Sequence, residues 1–597
     1  MKKYFFHFLF FLFSLCVFSE NSVRVQKLSS ESSSWTSVMS GKALCIPKMT
    51  SYGFAVLTDG KMISAFTEKG VKLWEKQVPG KPEPYLTVFS DDFLLSVNDG
   101  KNLSLINPSG LTLWTKKVPF KIENEPVTGR DSRIFVRGKN KIACYGINGI
   151  CKWILNTQEL REENLFEMND GSIFVFLKAL KDGKSTGIRF SPFGEILEEI
   201  SFKGIVKSAL SHEDGLLLTF SEGGAGMCSV LNGKTETKWT IPYSDRAFSN
   251  TNVLNGAKFI NLSSHRASLL VSGTGNIKTR IMVFSTIDGR VSDWFNSEYL
   301  FNEVELFLKT NGDENIFISD KKKASIFDTT GNILWSGLLP EKPDLFSTWN
   351  FMTFTKENYL VLCTSSWAMA GFRTTYKIQK RSKKNQYKKD YNVFYAKNVV
   401  NTDSIELFEK IPEYFTGNNR TQLLKNGLYG KNESDFISAL LALCKDYNQK
   451  LIQKKSSGSA GEKSIYEKDI SSMQEILGQL ELFGLDTFSP YIASFIKLTK
   501  DDFILQTLLK NISTFGYDPS SLILNSIDEK LHFISSSKTK ELILICDAVL
   551  EICRFMGRPA LYSHGIEILT QLLYPQYESS VRDYARNTLT KIARLKI

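Results

Sequence analysis

The chain has 597 residues, of which 42% are hydrophobic and 23% charged, and 74 Lys+Arg against 63 Asp+Glu give a formal net charge of +11. At ~100–200 residues per domain this predicts several domains or one long repeat array. The composition excludes global disorder, collagen, a coiled coil, a disulfide miniprotein and a polytopic membrane protein, and so mild an excess of positive charge gives no reason to expect a nucleic-acid partner.

The chain opens MKKYFFHFLFFLFSLCVFSENSV. Lys2 and Lys3 make a basic start, Tyr4 to Val17 an apolar core, and Val17-Phe18-Ser19 a cleavage site before Glu20, so residues 1–19 read as a secretory signal peptide. An uncleaved anchor is disfavoured, because the apolar run is ~14 residues against the ~20 that a spanning helix needs. Lipidation at Cys16 is a minority alternative, since Leu15 stands where a lipobox wants a small residue. Export permits disulfides without requiring them. Cys144 and Cys151 bracket a hairpin turn and could bridge it in a suitable register, whereas Cys546 and Cys553 read as core residues of one helix face.

A unit of ~40 residues then recurs. It is a Gly-containing turn followed by a short strand ending in Trp: TEKGVKLW (Gly70, Trp74), NPSGLTLW (Gly110, Trp114), GINGICKW (Gly149, Trp153) and DTTGNILW (Gly331, Trp335). Looser copies are LNGKTETKW (Gly233, Trp239) and TIDGRVSDW (Gly289, Trp294); SPFGEILE keeps Gly194 but has Glu198 where Trp is expected. On that pattern alone, Glu198→Trp is expected to be tolerated. Between markers, short runs alternate apolar and polar residues, with Asp59-Gly60, Asp99-Gly100, Asp170-Gly171 and Asp288-Gly289 as turns. Four short strands per repeat, arranged around a ring, make a β-propeller. The Gly sits where positive φ is needed, and the Trp covers the next blade, an inter-blade packing role rather than a ligand-stacking one. The last set of strands, read as Trp349 to Phe354, Tyr359 to Trp367 and Arg373 to Lys380, lacks a Trp strand. The segment around Trp35 has one to spare, so eight blades closed by the N-terminal strand are expected over residues 20–382.

The closest copy, Ser325-Ile-Phe-Asp-Thr-Thr-Gly-Asn-Ile-Leu-Trp335, resembles the repeat of the PQQ-like (quinoprotein-type) β-propeller family. The family includes quinone-dependent dehydrogenases and non-catalytic scaffolds such as the propeller lipoprotein of the outer-membrane β-barrel assembly machinery. What the resemblance implies for an enzyme is a vicinal Cys-Cys pair, a carboxylate set for Ca²⁺ and long insertions. The chain has no adjacent cysteines and compact blades, and its acidic residues map onto no such site. No catalytic, cofactor-binding or metal residue is therefore assigned, and no cofactor is expected. Glu222-Gly-Gly-Ala-Gly-Met227 falls in a strand and turn, not before a long helix, and Glu213-Asp214 and Asp91-Asp92 read as turn residues.

The segment that follows is rich in Lys and Arg: Lys377, Lys380, Arg381, Lys383, Lys384, Lys388 and Lys389. It reads as a basic linker (383–401), alternatively as a peripheral contact for an anionic membrane surface. Beyond it the apolar period changes to 3.6, as in ELILICDAVLEICRFM, and predicts helices near 403–415, 434–453, 465–483, 489–498, 501–514, 519–532, 537–556, 560–574 and 578–595, with KKSSGSAGEK (454–463) as a polar loop. Phe483-Gly484, Phe515-Gly516 and Met556-Gly557, each followed by a Pro, punctuate helix pairs, so residues 402–597 read as a HEAT-like α-solenoid. The change of period predicts few core contacts between the two halves. The reading is an exported, non-enzymatic scaffold of the periplasm or cell envelope, binding protein partners of unknown identity. A quinone-dependent or other propeller enzyme, or an envelope ligand sensor, is the alternative.

Overall fold

The computed structural model describes residues 25–28, 32–339 and 349–374 with short breaks at 130–131, 223, 264, 308–313 and 321, isolated positions between 441 and 452, and residues 488–595. The segment read as a signal peptide with Cys16, that read as a basic linker with Lys377, Lys380, Arg381, Lys383, Lys384, Lys388 and Lys389, the helices expected at 403–415 and 465–483, most of that at 434–453, and the loop expected at 454–463 lie outside the described residues.

Eight sheets, each built on an antiparallel four-stranded core, form an eight-bladed β-propeller: blade 1 (48–77), blade 2 (82–117), blade 3 (127–156), blade 4 (166–201), blade 5 (206–241), blade 6 (251–297), blade 7 (305–338) and blade 8 (349–373). Strands follow one another in order across each sheet, and the first strands of neighbouring blades approach one another, which places them at the axis. The middle strands, such as Gly53–Leu57 and Leu94–Asn98, are buried along their whole length. They are covered on both faces by neighbouring blades and so read as continuous apolar runs. Each inter-blade layer has its own core: Phe54, Val56 and Phe66 of blade 1, for example, pack with Val361, Cys363 and Met369 of blade 8.

The ring closes as expected. Strand Trp35–Val38 pairs antiparallel with Ala368–Arg373, Trp35 opposite Gly371 and Val38 opposite Ala368, and supplies the fourth strand of blade 8. Two details differ from the sequence reading. The third strand of blade 8 is Ala368–Arg373 rather than Arg373–Lys380, because Ser365-Ser366-Trp367 form the hairpin turn and Thr364 Oγ1 accepts from the Ala368 N–H at 3.2 Å. A further strand, Gln26–Lys27, pairs in parallel with Ile333–Leu338 and makes blade 7 five-stranded.

Six helices are described in the C-terminal region: α1 (Ser489–Leu498), α2 (Asp502–Thr514), α3 (Leu522–Leu531), α4 (Thr539–Met556), α5 (Pro559–Gln571) and α6 (Ser579–Leu595). Asp501 caps α2 by accepting from the Phe503 and Ile504 N–H groups, and Pro opens α1 and α5. Of the two described helix-end glycines, Gly557 is the left-handed stop (φ 62°). Gly516 has another role: a Cβ there would lie 2.4 Å from the Glu551 carbonyl carbon, so glycine permits the close approach of α2 and α4. Alternate helices run parallel. Asp502 at the start of α2 pairs with Lys538 before α4, while Phe515 and Phe555 meet edge to face at their other ends, centroids 4.8 Å apart. This gives two layers, α1-α3-α5 and α2-α4-α6, the arrangement of an α-solenoid.

The expectation of few contacts between the halves is not met. Phe93, Leu95 and Ile134 of the propeller belong to one apolar cluster with Leu508, Val549 and Phe555 of the helices. Phe93 and Phe555 have ring centroids 5.7 Å apart. Around them Asn107 Nδ2 donates to the Arg554 carbonyl (2.7 Å), the Tyr562 hydroxyl to Ser109 Oγ (3.0 Å), Ser132 and Tyr517 share a hydrogen bond (2.9 Å), and Arg558 pairs with Asp91. The turns of blades 2 and 3 and the helix ends both carry aromatics, which bury more surface together than apart. Cleavage between 380 and 401 is therefore expected to leave two fragments that co-elute on gel filtration. Phe555→Ala, which removes a side chain 4% exposed, should lower stability by about 3–5 kcal/mol and let the fragments separate. Separation of the unmodified fragments would count against this docking.

Candidate functional site

The repeat residues form inter-blade seams. Gly70, Gly110, Gly149, Gly194, Gly289 and Gly331 all have positive φ, between 72° and 92°. An added Cβ at Gly70 would meet the ring of Trp35, at Gly110 that of Trp74, at Gly149 that of Trp114, at Gly194 that of Trp153 and at Gly289 that of Trp239, each within 3 Å. Four indoles also donate to a carbonyl of the next blade: Trp74 to Pro108, Trp114 to Ile147, Trp153 to Pro192 and Trp239 to Thr286, at 2.8–2.9 Å. Trp335 is fully buried and donates to Gln26 Oε1 of the parallel strand at 3.1 Å.

Two positions depart from the expected pattern. Gly331 meets Phe295, not Trp294. In blades 1, 2, 3, 5 and 7 the packing Trp directly follows a β-bulge, as Trp74 does opposite Ala65; in blade 6 that place is held by Asp293, opposite Val283. Phe295, two residues on, shares its face, whereas Trp294 points the other way, is 39% exposed and lies under the Arg280 guanidinium at 4.3 Å. The second departure is Glu198, whose replacement by Trp the sequence suggests would be tolerated. Glu198 Oε1 accepts from Arg189 Nε at 2.7 Å and from the Thr235 N–H at 2.9 Å. Arg189 is 1% exposed, and it also holds Asp170 at 3.0 Å and the Gly233 carbonyl. Burial acts against the Glu198 carboxylate, but the hydrogen bonds from Thr235 and Arg189 outweigh it and hold its pKa below the ordinary value. A salt-bridge network thus replaces the indole of this seam.

Polar side chains near the axis are committed to one another across blades. Glu125 accepts from Lys48 Nζ (2.8 Å) and Thr87 Oγ1 (3.1 Å); Arg137 donates to Asn124 Oδ1 (2.6 Å) and the Glu162 carbonyl (3.0 Å); Arg161 pairs with Glu163 and donates to the Val206 carbonyl (3.0 Å). Among the described residues the group with metal-ligand spacing is His212, Glu213 and Asp214, in a turn of blade 5. His212 Nδ1 accepts from the Asp214 N–H at 3.1 Å, and the ring is 6% exposed. Burial draws its pKa down, against Asp214, Glu213 and hydrogen bonds to the backbone of Ser263 and Arg266. With its nitrogens engaged by backbone it fits a strut between the turns of blades 5 and 6 better than a ligand. Asp214 completes the strut by accepting from His265 (3.0 Å) and Thr286. The register sets Cys144 opposite Trp153 and Tyr145 opposite Cys151, so the two cysteines are not cross-strand partners, and neither is in a disulfide. Cys546 and Cys553 are buried, free thiols of α4, both pushed up to about 12 by burial.

An exposed feature missed in the sequence lies on the helices. The propeller holds the ends of the array that carry Tyr517, Phe555 and Tyr562; the opposite edge carries Phe503 at the start of α2, Phe533 after α3 and Tyr574 after α5. These are 57%, 84% and 57% exposed, one on each successive helix pair. Amphipathic periodicity could not flag them, because they sit at helix ends and in loops.

No family model matches the chain, and no curated protein matches it. Among solved structures it is similar to BamB from Moraxella catarrhalis (11% identity, TM-score 0.37, 58% of this chain and 99% of that one). It is similar also to the WD40 domain of SCAP from fission yeast (10%, TM-score 0.42, 57% and 98%) and to Sqt1 from Saccharomyces cerevisiae (12%, TM-score 0.39, 57% and 99%). Likeness at this level concerns fold alone, and the number of blades rests on the strand pairing.

Proposed function

We propose that the chain is an exported, non-enzymatic scaffold of the cell envelope, built from PQQ-like propeller repeats and a HEAT-like array, which holds protein partners. Its domains are taken as 1–19, 20–382, 383–401 and 402–597. Trp35, Trp74, Trp114, Trp153, Trp239 and Trp335, with the facing glycines, serve as seams and not as ligand sites. The observation that carries the reading is the row Phe503, Phe533 and Tyr574. Three large aromatics on one edge of a helical array expose apolar surface of the kind that interfaces bury, and aromatics dominate such contacts. Near the axis Lys48 pairs with Glu125 and Arg161 with Glu163, which favours architecture over chemistry there.

The triple variant Phe503→Ala, Phe533→Ala, Tyr574→Ala is expected to keep its melting temperature within a few degrees, since these side chains are exposed. It should lose the protein that co-purifies with the intact chain from cell envelopes after cross-linking. The same partner recovered in equal yield would overturn the reading.

A further inference from the structure

The helices cover the turns that join first to second and third to fourth strands, at Asp91, Asn107, Ser109 and Ser132. The opposite face consists of the second-to-third turns and the connections between blades. On that face a Gly-Lys dipeptide recurs at Lys42, Lys61, Lys81, Lys101, Lys139 and Lys184, with Lys121, Lys178 and Lys181 in the same loops of blades 1–4, and all are exposed. Lys139 and Lys178 share Glu159 at 3.2 and 2.7 Å. Lys42, Lys61, Lys81, Lys101, Lys121 and Lys184 have no carboxylate partner among the described residues. The nearest acids are otherwise engaged: Asp59 accepts from the Lys42 N–H (2.8 Å) and Asp99 from the Lys81 N–H (2.7 Å), each fixing the backbone beneath a lysine. Glu83, in the first strand of blade 2, brings Oε1 within 3.6 Å of a Cβ placed at Gly100, beside Lys121, while Glu123 and Glu162 stand on the approach to the first strands, next to the paired Glu125 and Glu163.

Among the described residues the corresponding loops of blades 5–8 are nearly balanced, with Glu222, Asp245, Glu298, Glu303 and Asp320 against Lys203, Arg246, Lys278 and Lys322, whereas those of blades 1–4 carry the denser run of lysines, broken by Asp182, so these lysines form an arc over half of the face. Each end of the arc has an exposed apolar side chain. Trp367, 62% exposed, borders a cleft with Lys42 and Ser366; Leu180, 50% exposed, lies between Lys178 and Lys181.

We infer that this arc docks the propeller on an anionic lipid surface, the lysines against the headgroups and Trp367 and Leu180 in the interfacial layer. Lysine point charges spread over several blades suit a diffuse, laterally mobile surface charge, and apolar side chains at both ends suit lipid rather than a nucleic acid. The inference is independent of the scaffold reading.

The test uses the full chain and vesicles of phosphatidylglycerol with phosphatidylcholine, against phosphatidylcholine alone. Co-sedimentation with the anionic vesicles only is expected, falling as salt rises. Lys42→Glu, Lys81→Glu, Lys101→Glu and Lys121→Glu together should weaken it at least tenfold, and Trp367→Ala several-fold. The basic run 377–389 is left intact throughout, so binding unchanged in the fourfold variant assigns the contact to that run and overturns the inference. A second measurement needs no variant: acetylation of Lys42, Lys81, Lys101 and Lys121 in the native chain should be suppressed by anionic vesicles. Suppression absent there, or produced equally by duplex DNA and indifferent to Trp367→Ala, also overturns it.

Discussion

A chain lacking residues 20–40 is expected to lose on the order of 5–10 kcal/mol of folding stability and to aggregate, enough to unfold a typical domain. The deletion removes the fourth strand of blade 8 and the parallel strand of blade 7 together. With them go Leu28 and Met39, each 1% exposed, and the half-buried Trp35, whose ring stacks 6.1 Å from Phe54 and fills the space above Gly70. The Ala368–Arg373 strand would present an unpaired edge, a template for pairing with other chains. Trp35→Ala alone should cost less, about 2–4 kcal/mol, because the ring is not fully buried and its Nε1 has no acceptor. Thermal melts followed by light scattering decide the matter. A truncated chain that melts with the intact one would show that the ring does not depend on its first strands.

Glu198→Trp should destabilise by about 3–5 kcal/mol, since it strips a carboxylate from a buried guanidinium. Asp170 would remain as the sole carboxylate on Arg189. The double variant Arg189→Met, Glu198→Trp is expected to recover most of that loss. It recreates the pair found in blade 5, where Met227 faces Trp239, and a Cβ at Gly233 meets nothing within 4 Å, leaving room for an indole. Denaturation of the four members of this cycle should give a coupling of at least ~2 kcal/mol. A single Trp variant as stable as the parent would mean that the network carries no net stability.

The blade repeat is legible because six of the eight seams pack an aromatic ring against a positive-φ glycine, a steric pairing that recurs once per blade. Ring closure is legible for a related reason: an orphan copy of the motif at one end matches a gap at the other. The exchange in blade 4 escapes such a reading, since Arg189 and Glu198 lie on different strands and only their pairing reveals a buried bond. Trp294 shows where a marker can mislead. It stands five residues after Gly289, whereas Trp74, Trp114, Trp153 and Trp335 stand four after theirs, and with side chains alternating along a strand an odd shift turns a residue to the other face. Phe295, six residues after Gly289 and so at an even shift, takes the packing place against Gly331. The packing of the helices on blades 2 and 3 had no local sign, because it joins turns and helix ends hundreds of positions apart.

The antiparallel pairing of Trp35–Val38 with the last blade also imposes a timetable. This early strand is used only when the last blade has been made, since Arg373, whose N–H donates to Ser34 Oγ, lies 339 positions further along. At ~5–20 residues per second, synthesis alone separates the two by tens of seconds. During that interval the early blades can stack on one another, but the first and the eighth have no seam between them. The chain start must stay free of premature partners until the end of the propeller arrives, and that wait is when a holding chaperone would matter most.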